Sequence, residues 1–123
     1  MPREDIRPFI RMQTSMKRVF INLATYDLLG NPPHLEFLWN DKKKMLVIAP
    51  LFSIKLGCYT VSETLKQRRR EILMQELSFF HLLMEKMGWR ENTIYKVYGD
   101  LMPGSNMIGF PMLDAIITGE ESE

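Results

Sequence analysis

The stretch from Phe9 to Pro50, FIRMQTSMKRVFINLATYDLLGNPPHLEFLWNDKKKMLVIAP, limits the possible fold more than any other part of the chain. Its apolar runs are short, and turn or cap chemistry closes each one. Such runs read as β-hairpins rather than as long helices. Phe9–Gln13 half-alternates, Thr14-Ser15-Met16-Lys17 reads as a turn, and Val19-Phe20-Ile21 is strongly β-prone. That pattern predicts a hairpin over about 9–22. Asn22 is placed to cap a short helix, because its side chain can accept a bond from a backbone N–H two or three residues on. Leu23, Tyr26 and Leu29 share one helical face, Gly30 suits the helix end, and Asn31-Pro32-Pro33 stops the helix resuming. Leu35, Phe37 and Trp39 alternate as a strand, Asn40–Lys44 is a polar turn, and Met45–Ala49 is a strand that Pro50 ends. The lysine triplet Lys42–Lys44 reads first as a solvated turn.

Beyond Pro50, Leu51–Gly57 is a connector in which FSIKL has room for a short strand. Cys58–Val61 reads as a strand, followed by the polar run SETLKQRRR and the apolar Ile72-Leu73-Met74. Residues 62–87 also satisfy the pattern of one continuous helix, since Glu, Leu, Lys, Gln, Arg and Met are good helix formers. Between a hairpin and a helix, 62–76 stays open. Leu77–Met87 carries Leu77, Phe80, Leu83, Met84 and Met87 at helical spacing, with Gly88 at its end. Ile94–Tyr98 alternates as a strand, Gly99–Asn106 is a loop, Met107–Phe110 returns as a strand, and Leu113–Ile117 is a last short element. Residues 118–123 read as a frayed acidic tail.

The two halves share an order. VFIN, LATYDLLG, LEFLW and MLVIAP find counterparts in ILMQ, the helix ending at Gly88, IYKVY and MIGFP. Each half has too little apolar face to bury alone, so a duplication predicts two units packing against each other. The alternative is a coincidence between two hairpin-containing segments. Under the duplication, Cys58–Val61 pairs with Glu71–Met74 as the first hairpin of the second unit.

With 123 residues, 46% of them hydrophobic, the chain is expected to form a single domain over 1–123. No apolar run approaches the roughly 20 residues of a membrane span, and MPREDIRPF has no apolar signal region, so no membrane association is expected. Cys58 is alone, which excludes an intramolecular disulfide and a multi-cysteine metal site. These features lead to an expected cytoplasmic location. A net charge of +1 hides an asymmetry: residues 1–70 hold 13 Lys/Arg against 6 Asp/Glu, and 71–123 hold 3 against 9. The split creates either a positive face for a polyanion or an ordinary solvated surface beside an acidic tail.

Ile10-Arg11-Met12, Lys17–Ile21, Tyr26–Gly30, Leu35–Trp39 and Met45–Pro50 together resemble the AbrB/SpoVT-type swapped-hairpin DNA-binding regulators. Ser15-Met16, Asn22 and Pro32-Pro33-His34 stand where that family usually has a glycine, a proline and a Gly-Asp. The resemblance implies an α+β, hairpin-rich fold in which two strand–helix–hairpin units, about 9–50 and 58–111, share one barrel-like core. It implies a monomeric pseudo-dimer or a homodimer. It also implies double-stranded DNA as partner, through Arg11, Lys17 and Arg18 and, by the repeat, Lys66, Arg68, Arg69 and Arg70. Phosphate contacts supply affinity, and guanidinium forks read guanine edges.

The expectation is therefore a non-catalytic transcriptional regulator with no cofactor and no metal. His34 and His81 have no Cys, Asp or Glu at ligand spacing, and no glycine loop cradles a phosphate. Tyr59, Tyr95 and Tyr98 read as half-buried sheet residues before base-stacking ones, and the ten methionines as filler of an irregular core. The alternative is an accessory or inhibitor module that binds a protein or a small ligand, marked by an exposed apolar or tyrosine-lined surface and no DNA binding.

Overall fold

The computed structural model describes residues 7–61, 71–75 and 79–120. The first hairpin forms where the pattern places it. Strand β1 (Phe9–Gln13) pairs antiparallel with β2 (Arg18–Asn22), with Met12 opposite Val19 and Gln13 opposite Arg18. Asn22 then starts helix α1 (Leu23–Leu28) as its cap: the Thr25 backbone N–H donates to Asn22 Oδ1 at 3.1 Å. The same side chain receives the Phe9 N–H at 3.1 Å and donates to the Arg7 carbonyl at 2.9 Å. One buried amide thus ties the helix start to the chain entering β1. Gly30 follows at φ +88°, the left-handed conformation a helix end requires.

The second hairpin joins β3 (His34–Asn40) to β4 (Met45–Leu51) over seven paired positions. The chain then bends rather than forming a strand through Phe52–Leu56. Strand β5 is short (Tyr59–Thr60), and its partner is β3, with Leu35 opposite Tyr59. Strand β6 (Glu71–Gln75) instead pairs with β2, with Phe20 opposite Leu73. The hairpin expected between Cys58–Val61 and Glu71–Met74 therefore does not form, because its two strands belong to different sheets. The continuous helix over 62–87 is excluded as well, since 71–75 is extended and hydrogen-bonded to β2. The basic run 62–70 and residues 76–78 lie outside the described residues.

Helix α2 (Phe80–Met87) ends at Gly88, φ +61°, whose N–H donates to the Met84 carbonyl. Strand β7 (Thr93–Tyr98) pairs with β1, and β8 (Asp100–Leu101) pairs with β9 (Ile108–Pro111). Gly99 makes the corner between β7 and β8. A Cβ there would lie 2.6 Å from Phe110 Cδ1 and 2.8 Å from the Gly109 carbonyl, so only glycine fits. A 3-10 turn at Met112–Asp114 leads into β10 (Ile116–Glu120), which pairs with β7. Thr118–Glu120 therefore belong to a strand rather than to a frayed tail, with a register shift between Ile117 and Gly119.

The result is strand-rich: two antiparallel five-stranded sheets, ordered β10-β7-β1-β2-β6 (sheet 1) and β5-β3-β4-β9-β8 (sheet 2). Among the described residues the ladders do not run from one sheet into the other. Period-two alternation explains the core. Ile10, Met12, Val19, Ile21, Ile72 and Met74 point inward from sheet 1 and are fully buried. Leu35, Leu46, Ile48, Ile108 and Phe110 answer from sheet 2, and all belong to one cluster. Burying each such side chain is worth roughly 1.5–3 kcal/mol. Helix α2 adds Phe80 and Leu83, and the ring of Phe79 sits 4.8 Å from that of Phe37 on β3.

Candidate nucleic-acid interface

The cations singled out in the sequence fall in different places. Lys17 closes the β1–β2 turn at φ +56° and is exposed. Arg18 begins β2, and its Nε is buried without a hydrogen-bond partner. Neither Lys17 nor Arg18 has a carboxylate partner among the described residues. Below them side-chain bonds fasten the turn at two points. Thr14 Oγ1 donates to the Thr93 carbonyl at 3.2 Å and accepts from the Thr93 N–H at 3.1 Å. Ser15 Oγ accepts from the Asn92 N–H at 2.8 Å. The turn is thus bolted to the chain entering β7, 77 to 79 residues away.

Arg11 lies elsewhere. It sits in mid-strand on the outer face of sheet 1, ion-paired with Glu71 of β6, its guanidinium carbon 4.2 Å from the Phe20 ring centroid. Lys66, Arg68, Arg69 and Arg70 lie outside the described residues. The strand they lead into starts at Glu71, opposite Asn22, whereas Arg18 is opposite Gln75. The entry to β6 is therefore four residue steps, about 13 Å at roughly 3.3 Å each, from the Lys17–Arg18 end.

Alternation sorts the tyrosines. Tyr95 faces inward, is 6% exposed, stacks on Trp89 with centroids 4.2 Å apart, and accepts the Arg90 N–H through its hydroxyl. Tyr59 donates its hydroxyl to the Leu73 carbonyl at 3.2 Å, and burial pushes its pKa up. Tyr98 faces outward beside Lys96, Arg7 and Phe9, where Lys96 Nζ is 4.1 Å from the Phe9 centroid and 4.9 Å from that of Tyr98. Lys96 and Arg7 were not among the sequence candidates. The signal was present in Ile94-Tyr95-Lys96-Val97-Tyr98, where period two puts Lys96 and Tyr98 on one face and Tyr95 and Val97 on the other.

The second basic turn behaves differently. Asp41 accepts from Trp39 Nε1 at 3.1 Å and faces Lys44 Nζ at 3.2 Å and Lys86 Nζ at 3.3 Å. Those three bonds, the one from Trp39 first, hold its carboxyl at about 2 against an ordinary 3.8. His34 Nδ1 is 2.9 Å from Thr60 Oγ1 on an exposed strand edge. His81 borders a cleft of about 380 Å³ with Thr14, Ser15, Lys17, Phe80, Met84 and Glu91. Among the described residues no three of His, Cys, Asp and Glu converge as metal ligands would. Among the same residues no helix is long and apolar enough to cross a membrane. No family model, curated protein or solved structure matches the chain.

Proposed function

We propose that the chain is a non-catalytic transcriptional regulator of swapped-hairpin type that binds double-stranded DNA through the β1–β2 turn. The observation that carries this reading is the pair Lys17 and Arg18, two cations with no carboxylate partner among the described residues, at a turn that Thr14 and Ser15 fasten to Thr93 and Asn92. A fixed cationic turn meets phosphates with little ordering cost, and a guanidinium beside it reads a guanine edge in the major groove. Arg11, held by Glu71, contributes field rather than a direct contact. By the repeat, Lys66, Arg68, Arg69 and Arg70 add positive charge to the same reading.

In this reading the units 9–50 and 58–111 share a barrel-like core. Support comes from pairing: strands matched by the repeat lie side by side and antiparallel, β2 with β6 and β4 with β9. A two-fold relation between the units requires that arrangement. The β1–β7 and β5–β3 pairs repeat the same relation. The active species is then a single chain acting as its own dimer, in the cytoplasm.

The test is a duplex-binding titration at several salt concentrations. Each lost phosphate contact lowers the slope of log K against log salt by about 0.9. Lys17→Ala/Arg18→Ala is expected to weaken binding and flatten that slope. Wild-type protein showing no salt-sensitive binding to any duplex contradicts the reading.

A second reading, a protein-binding accessory module, rests on Phe52, Ile54 and Leu56, which are 64%, 81% and 100% exposed in one connector. Large apolar side chains clustered on a surface mark interaction sites. If this reading holds, the wild type binds no duplex, and Ile54→Glu/Leu56→Glu leaves thermal stability unchanged and abolishes capture of a protein partner.

A further inference from the structure

The outer face of sheet 1 holds a feature that the turn does not use. Strands β7, β1 and β2 run side by side, and the register sets Lys96 opposite Arg11 and Arg11 opposite Phe20. Three cations lie over aromatic rings there: Lys96 over Phe9 and Tyr98, Arg7 over Tyr98 at 4.9 Å, and Arg11 over Phe20 at 4.2 Å. Arg7 is balanced by Asp100 at 3.7 Å and Arg11 by Glu71, whereas Lys96 has no carboxylate partner among the described residues. Phe20, Lys96 and Tyr98 are half-buried and keep surface toward solvent, while Phe9, 5% exposed, only supports them.

We propose that this face binds single-stranded nucleic acid laid across β7, β1 and β2. Unpaired bases stack on aromatic rings and guanidinium planes, while cations between them follow the phosphates. Tyr98 and Phe20 sit two strands and two residue steps apart, about 12 Å on the diagonal, which spans about three to four nucleotides at about 3.4 Å each. Lys96 and Arg11 lie between them. Asp100 follows Tyr98 and Glu71 is opposite Asn22, so both acids sit at one end of the sheet. The phosphate path therefore runs over Lys96 and Arg11. A duplex keeps its bases stacked inside and offers nothing to the rings, so the face selects unpaired strands. This site goes beyond the duplex reading and does not depend on it.

The test is fluorescence anisotropy of the full chain with labelled oligothymidylate of about 15 residues, near the upper end of such sites, and with a labelled duplex hairpin. The wild type is expected to bind the single strand. Lys96→Glu is expected to weaken that binding about tenfold or more and to leave duplex binding unchanged. Phe20→Leu, which keeps apolar bulk and removes the ring, is expected to weaken it several-fold. Lys17→Ala/Arg18→Ala is expected to show the reverse pattern, losing the duplex first. Melting curves establish that each variant is folded, and Lys96→Gln replaces Lys96→Glu if the latter is not. Wild type that ignores the single strand, or a folded Lys96 variant that binds it as tightly, overturns the proposal. Loss of duplex binding alone overturns only the reading of the turn.

Discussion

The two basic turns of the first half share a backbone and differ in charge. Each spans four residues between a paired strand end and its partner, 14–17 and 41–44, and each closes on a lysine in the left-handed region, Lys17 at φ +56° and Lys44 at φ +51°. Both are fastened to the second half of the chain. The first is held by neutral bonds, buried between Thr14 and Thr93 and exposed between Ser15 and Asn92. The second is held by an exposed carboxylate, Asp41, which reaches Lys86 and at the same time occupies Lys44. Lysine count would rank the second turn higher as a polyanion site. The acid within reach reverses that order, because Asp41 spends the field of its neighbours locally. Where a turn is fastened by uncharged groups, its cations remain available.

Six variants break or sharpen this contrast. The largest effect is expected on binding: Lys17→Ala/Arg18→Ala weakens duplex affinity roughly ten- to a hundredfold and lowers the salt slope by about 2, while Lys42→Ala/Lys43→Ala changes affinity less than about twofold. Next, Thr14→Val leaves the buried Thr93 N–H without its acceptor. It is expected to cost about 1–3 kcal/mol in urea unfolding, with the slope of the transition unchanged. Smaller still, Lys17→Gly and Lys44→Gly each relieve a left-handed backbone and are expected to stabilise by about 1 kcal/mol or less, by similar amounts. Unequal gains would show that the two turns do not share their backbone energetics.

The smallest effect is expected from Asp41→Asn. The carboxyl titrates at about 2 when folded, below its ordinary 3.8, so its contribution is present above pH about 4 and fades as pH falls toward 2. Acid titration of the variant is expected to lack that loss. Freed of Asp41, Lys44 and Lys86 should also give the second turn weak, salt-sensitive duplex binding that the wild-type turn lacks.

Much of the fold was legible because its decisions are local. The 9–22 and 35–50 hairpins, the Asn22 cap, and the helix ends at Gly30 and Gly88 follow from neighbouring residues, and each stands where its residues predict. What was not legible was decided across the chain. Glu71–Gln75 suits a helix as well as a strand, and only the ladder to β2 settles it. Two residues of β5 carry no pattern that names β3 as partner. Thr118–Glu120 read as tail from sequence because Glu follows Gly, yet β10 pairs along β7.

The site followed the same division. Lys17 and Arg18 were visible as a basic turn. The pairing of Arg11 with Glu71, 60 residues on, was not, and neither was the capture of Asp41 by Lys86. Lys96 is a lone lysine in a strand with no company in sequence, and only register gives it Arg11, Phe9 and Tyr98.

The most direct test of the central claim is a salt titration of duplex binding with wild type and Lys17→Ala/Arg18→Ala, both shown folded by their melting curves. The account predicts a steep wild-type slope of log K against log salt and a variant slope shallower by about 2. Identical slopes and affinities for the two proteins, or no binding by either, would contradict it.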